Sequence, residues 1–310
     1  MPVTPHTGRL FYRVGYTAGF FSLLQATARW AGRDGSGRIA RTLARIYCAT
    51  APAIVKVVAR NLRLLTDRDV RNNEAKLVFL NFATTLADYI WLGSRSREEA
   101  FALADLDCNF EHLRAACVGG QGAILATGHY GFFEFGALVL GQMQFPVSII
   151  THPEPSPGLT RWRADYRSRW GAETIELGND AFASLRAAEA IGRGRLTAVL
   201  VDRPQGGRTT PIALPGGTIP YSLAPALLSW MTGCCIVPVS VRRTTDGRYA
   251  ISSSKPVTAD RSLPRSEALE LCTRKVAAAL HEAFLKDPLQ WYHFVPLDLA
   301  EAVGPDPVSS

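Results

Sequence analysis

The chain has no C-x-x-C pair. Its six cysteines, Cys48, Cys108, Cys117, Cys234, Cys235 and Cys272, are scattered over 310 residues without histidine companions at zinc spacing, so no metal site is expected. The scatter fits buried thiols in a reducing compartment, and no basic-apolar-small cleavage pattern stands at Met1. No G-x-S-x-G elbow occurs, which argues against a serine hydrolase. Neither G-x-G-x-x-G nor a Walker loop occurs, so no nucleotide is expected, and no other cofactor is called for. Long apolar runs are also missing. The charge-free stretch Val14 to Ala28 would cover about 22 Å as a helix, short of a hydrocarbon core of about 30 Å, so it is not expected to span a bilayer. Phe11, Val14, Phe21 and Leu24 share a face of it and arginines flank it, which fits a helix lying in a membrane interface or an ordinary amphipathic core helix.

Acidic residues are scarce in the first quarter. Residues 1–76 carry 13 Lys and Arg against four acids, a net +9, whereas the whole chain is +7, which leaves −2 for the remainder. Such a segment suits anionic lipid headgroups or an acidic carrier protein, or is simply a solvated basic face. Nucleic acid is disfavoured, because neither zinc-finger spacing nor an RNA-recognition aromatic motif accompanies the charge.

With 47% hydrophobic residues the chain can bury a large core. Its apolar pattern alternates between periods of two and 3.6. Strands are expected at Ala123–Thr127, Val147–Thr151, Thr174–Glu176, Leu196–Val201, Cys235–Val241 and Tyr249–Ser253. Helices are expected at Asn72–Leu92, Leu159–Trp170, Ala181–Ile191 (capped by Asp180), Ser222–Thr232 and Arg265–Phe284. Alternation of this kind predicts an α/β fold, a central, mostly parallel sheet flanked by helices, with a helical N-terminal portion. The expected division is a basic, membrane-associating N-terminal portion at 1–75, an α/β domain at 76–300 and a loose tail at 301–310.

The chemistry concentrates in Ala123-Ile-Leu-Ala-Thr-Gly-His129-Tyr-Gly131-Phe-Phe-Glu134-Phe135. A buried strand hands over to a helix here, and His129 stands at the exit, where parallel sheets place their chemistry. Glu134 follows five residues later, within expected reach of the ring. A carboxylate on one imidazole nitrogen fixes the tautomer and leaves the other free as a general base. A second such spacing, His293 to Asp298, lies between Pro288, Pro296 and the tail, with no strand before it and no helix after, and reads as coincidence. The strand ending at Val201 exits into Asp202-Arg203-Pro204 on the edge that carries His129. Arg161, Arg163, Arg167 and Arg169 cluster near one helix, fit either to bind an oxyanion or phosphate or to face solvent.

Taken in order, His129-x4-Glu134, the strand ending in Asp202, Ile236-Val237-Pro238-Val239 and Gln290-Trp291-Tyr292 resemble the bacterial late lipid A acyltransferases, in the wider lysophospholipid acyltransferase-like group; Val57 to Leu62 also resembles a segment early in that family. The likeness runs from about residue 55 to 296. It implies a glycerolipid acyltransferase-like fold and catalysis by His129 and Glu134, with Arg169 at a position where the family keeps an arginine. It also implies an acyl carrier protein or acyl-CoA donor, a lipid acceptor, and a peripheral or monotopic place on the cytoplasmic face of the inner membrane. On this view His129, oriented by Glu134, deprotonates the acceptor. Backbone N–H groups near Gly131, together with Arg169, stabilise the oxyanion, and Asp202 and Arg203 line the substrate site. Two departures stand out: Pro204 replaces a polar residue, and Ile212 to Gly217 lacks the family's aromatics. Both favour an acceptor other than the usual lipid A precursor, such as a lysophospholipid or another specialised lipid. A noncatalytic lipid- or carrier-binding protein of the same fold is the alternative from a different class.

Overall fold

A computed structural model describes residues 18–105, 110–117, 120–178, 182–204 and 207–297. The tail, Asp180, Phe11 and Val14 lie outside these residues. In chain order the elements are α1 (Ala18–Thr50), α2 (Pro52–Thr66), α3 (Asn72–Leu92), α4 (Arg97–Phe101), β1 (Ala104–Asp105), α5 (Glu111–Ala116), β2 (Ala123–Thr127), α6 (Phe133–Gln142), β3 (Val147–Thr151), α7 (Pro157–Arg169) and β4 (Ala172–Glu176). They continue with α8 (Ala183–Gly192), β5 (Leu196–Leu200), β6 (Thr209–Leu214), β7 (Gly217–Ser222), α9 (Ala224–Thr232), β8 (Ile236–Arg243), β9 (Tyr249–Ser253), α10 (Arg265–Leu285) and a short 3-10 turn at Pro288–Gln290.

Seven strands form one sheet in the order β1-β9-β8-β2-β5-β3-β4. The five from β8 to β4 run parallel to one another, and β9 turns back antiparallel on β8 with β1 beside it. The expected α/β class with a mostly parallel sheet is therefore what the chain adopts. Every residue of β2 is buried, because helices cover both faces. Ile124 and Ala126 pack among α8, α9 and α10; Ala123 and Leu125 pack with Leu113 of α5 and Leu140 of α6. The register pairs Thr127 with Leu200, so β2 and β5 end side by side.

The helices before the sheet are tied into it. Pro52 opens α2, where its missing N–H costs nothing, and Asp67 closes it in the left-handed region. Arg33 clamps Asp88 of α3 through two hydrogen bonds of 2.9 and 2.8 Å, one residue beyond the kink at Gly32 (φ 69) in α1. The expected boundary at residue 75 falls inside α3, whose Val78, Phe79, Tyr89, Ile90 and Leu92 are buried. Phe21 and Leu24, assigned on sequence to an interfacial or a core face, pack against the cluster that holds Tyr89 and Tyr166, with Phe21 5.0 Å from the Trp162 ring. A different face of α1, carrying Ile39, Leu43 and Ile46 at helical spacing, is exposed.

The Ile212 to Gly217 segment is a hairpin. β6 and β7 pair antiparallel around Pro215 and Gly216, and the Gly216 N–H donates to Leu64 O of α2 at 2.9 Å. A Cβ at Gly216 would come 2.1 Å from Arg63 O. The turn glycines therefore serve the close approach of the hairpin to α2.

Candidate active site

Because β2 and β5 are parallel and in register, the residues two beyond their ends come together at the carboxyl edge. His129 and Asp202 meet there. The Asp202 carboxylate, fully buried, receives four N–H groups: Oδ1 faces His129 Nδ1 at 2.8 Å, and Oδ2 faces the His129 backbone N–H at 2.9 Å, Trp291 Nε1 at 3.0 Å and His293 Nε2 at 2.8 Å. Burial opposes its charge, but the two histidines and these bonds win, and the carboxyl is held well below the usual aspartate range. An ionised carboxylate only accepts, so His129 carries its proton on Nδ1 and His293 on Nε2. His129 Nε2, on a side chain that keeps 14% of its exposure, makes no hydrogen bond to the described residues.

Backbone geometry makes this approach possible. Gly128 precedes His129, and a Cβ there would sit 2.6 Å from Asp202 Oδ2. Gly131 has φ 54, and a Cβ on it would meet Val241 O at 1.8 Å, so no other residue fits without moving β8. The C-terminal segment then pairs with this loop. Tyr292 N–H donates to His129 O at 2.7 Å and Gly131 N–H to Gln290 O at 2.8 Å, which delivers Trp291 and His293 to Asp202. His293 thus belongs to the site, through Asp202 and not through the spacing to Asp298. Its partner is Asp202; Asp298 lies outside the described residues.

Glu134 is placed differently from the expectation. It does not orient the ring; Asp202 occupies Nδ1. Glu134, on the first turn of α6, turns towards α7 and accepts from Arg163 and, at 2.8 Å, from Arg167. Burial alone would raise its pKa; the two guanidiniums outweigh that and bring it down to about 2. The physical reason is charge: the buried Arg167 and the half-buried Arg163 require a carboxylate more than a histidine already supplied by Asp202 does. Arg169 is also engaged elsewhere, donating to Gly93 O at the end of α3. Gly131 cannot offer its N–H to an oxyanion, since Gln290 O takes it; the N–H groups of His129, Tyr130 and Phe132 are taken by Asp202, Gly128 O and Val241 O. The first-turn amides of Phe133 and Glu134 are the ones an α-helix leaves without an internal carbonyl. Arg203, half-buried beside Asp202, adds positive charge near His293.

Among the described residues, His129, Asp202 and His293 are the group whose ligand-type atoms lie within 4.8 Å of one another and could hold an ion. His129 Nδ1 and His293 Nε2 both point their protons at the carboxylate, so the set fits a hydrogen-bonded chain better than an ion. Beneath α6 lies a cavity between that helix and the sheet, lined by Leu125, Ala137, Leu140, Ile149, Ala198 and Val239, with Thr127, Phe133 and Glu134 also on its wall. Phe133 also touches the His129 ring, 5.9 Å between centroids.

A histidine held by a buried aspartate at the carboxyl edge of a parallel sheet is an arrangement that suits general-base chemistry. The family described as bacterial lipid A biosynthesis acyltransferase matches residues 18–297, and the chain belongs to it. It is accordingly an acyltransferase that works on lipid substrates. No curated protein matches the chain significantly.

Proposed function

We propose that this acyltransferase moves a fatty acyl group from a thioester, carried by acyl carrier protein or by coenzyme A, to a hydroxyl or amine of a lipid acceptor, with His129 as general base. The observation that carries this reading is the His129–Asp202 pair, whose buried carboxylate fixes one ring nitrogen and leaves Nε2 without a partner among the described residues. In the proposed step Nε2 takes the acceptor proton, and the oxygen or nitrogen attacks the thioester carbonyl. The tetrahedral oxyanion rests on the first-turn amides of Phe133 and Glu134. Collapse then breaks the C–S bond, and the imidazolium returns the proton to the leaving thiolate. The acyl chain occupies the cavity under α6.

A membrane surface of anionic lipid is the proposed setting, the cytoplasmic leaflet of the bacterial inner membrane. Supporting it, α1 exposes Ile39, Leu43 and Ile46 together with Arg38, Arg41 and Arg45, and Trp30 is 93% exposed. An apolar stripe edged by arginine suits an interface with acidic headgroups. No single helix among the described residues is long and apolar enough to cross a membrane. For the acceptor, Pro204 in place of a polar residue supports a lipid other than the usual lipid A precursor.

Thioester consumption by the purified protein, with and without His129→Ala, tests the base. A loss of about 10²- to 10⁴-fold in a folded variant is expected. Unchanged turnover in the variant would overturn the assignment, whereas no turnover by the unsubstituted protein would favour a noncatalytic carrier- or lipid-binding role. Lipid mass spectrometry of cells with and without the gene identifies the acceptor.

A further inference from the structure

His293 is the second histidine on Asp202, and the mechanism above does not use it. The residue is 1% exposed, its ring tilted 4.3 Å from that of Trp291 and edge-on 5.4 Å from the His129 ring. Its backbone is pinned from outside, because Asn61 Nδ2 of α2 donates to His293 O at 3.0 Å and to Val295 O at 2.8 Å. The backbone that carries the ring is therefore fixed on α2.

The ring has one hydrogen bond to the described residues. Nε2–H donates to Asp202 Oδ2, while Nδ1 is buried and has no partner among the described residues. A protonated ring would bury a second N–H with nothing among the described residues to receive it, a cost added to that of the buried charge. Burial, reinforced by the neighbouring His129 and Arg203, lowers the His293 pKa against the pull of Asp202. The ring is thus a neutral donor. Asp202 Oδ2 collects three N–H groups, from the His129 backbone, the Trp291 indole and the His293 ring.

We propose that His293 is a positioning residue, whose neutral Nε2–H locks the Asp202 carboxylate so that Oδ1 stays on His129 Nδ1 and the catalytic ring keeps the tautomer with Nε2 free. This rests on His129 being the base, as proposed above. His293 takes up no proton during the reaction; its part is to stop the carboxylate rotating and sharing its charge with water. The groups that face it are Asp202, His129 and Arg203.

The test compares the full chain with His293→Leu, His293→Gln and His129→Ala, by steady-state thioester turnover with acceptor and by 15N NMR of the histidine rings. In the unsubstituted protein His293 should appear as the Nε2–H tautomer and stay neutral from pH 8 down to pH 6, with His129 as the Nδ1–H tautomer. His293→Leu should lower kcat about 10- to 100-fold, what one hydrogen bond to a charged group is worth, with KM little changed and His129 shifted to mixed tautomers. His293→Gln, which can present an amide N–H near the same point, should restore most of both. A His293 that titrates in this range, or that carries its proton on Nδ1, overturns the proposal without any variant, so a Leu variant that fails to fold leaves it decidable. A folded His293→Leu protein with native kcat and an unmixed His129 tautomer also overturns it. In either case an inactive His129→Ala shows that the base assignment survives, whereas an active one shows that the base assignment itself has failed.

Discussion

Asp202 holds His129 twice, taking its backbone N–H at 2.9 Å and its Nδ1–H at 2.8 Å, although 73 positions separate them in the chain. Loop and ring are thereby oriented by one carboxylate. Asp202→Asn keeps the volume but offers an N–H where the ring needs an acceptor, which favours the wrong tautomer. A fall of about 10³- to 10⁴-fold in kcat is expected, with secondary structure retained. A folded Asn variant with native turnover would remove Asp202 from the mechanism.

Glu134 should behave as a structural ion first. Its carboxylate is the buried counter-charge of Arg163 and Arg167, so Glu134→Gln leaves two guanidiniums undercompensated. A loss of about 3 kcal/mol in unfolding free energy is expected, as for other broken buried pairs. At a temperature where the variant is folded, its kcat should fall less than that of Asp202→Asn. Denaturant titration with parallel kinetics decides; a stable, fully inactive Glu134→Gln protein would return Glu134 to the chemistry.

Stability should fall as the medium is acidified, in two windows. Burial brings His281 down to about 4, with Tyr221 Oη 2.8 Å from its Nε2, and burial lowers His293 as well. Both are neutral in the folded state, so their contribution is complete above an unfolded value of about 6.5 and is lost as pH falls below it, at up to about 1.4 kcal/mol per pH unit for each group. Glu134, at about 2, and Asp202, lower than usual, act in a more acid window. Their contribution is present above the ordinary carboxyl range and disappears as pH drops through it. Denaturation midpoints between pH 7.5 and 3 measure this. His281→Gln should flatten the upper window, and a profile level from pH 6.5 to 4.5 in the unsubstituted protein would contradict the buried neutral histidines.

Membrane binding should depend on the exposed face of α1. Ile39→Asp with Leu43→Asp should abolish sedimentation with anionic vesicles while leaving the fold and soluble-substrate thioester turnover intact. Binding of the unsubstituted protein should weaken with salt, because arginines face acidic headgroups. Equal binding to neutral vesicles, or no effect of the two substitutions, would exclude this face.

The buried strand before His129, the helix after it and the alternation that follows are legible in residue order, because hydrophobic periodicity is local. So is the meeting of His129 with Asp202 on one edge, once a parallel sheet is inferred. The partner of the ring was not legible. Glu134 lies at a plausible spacing, but its destination depends on Arg163 and Arg167, which α7 brings across from about 30 residues away. His293 looked incidental because its only sequence signal, the adjacent Gln290-Trp291-Tyr292 block, says nothing about direction. Its place is set by antiparallel pairing of Trp291 with Tyr130.

The exposed stripe on α1 was missed for a related reason. Apolar residues at helical spacing look alike whether they meet a neighbour or water, and Phe21 finds Trp162 while Ile39 and Leu43 are exposed. What the sequence determined by itself is the class of sheet, the edge that carries chemistry and the two strand exits, all consequences of short-range pattern. Which acid faces which base, and which apolar face stays open, only the tertiary structure decided, because those depend on competition among charges and surfaces that meet only when distant segments pack.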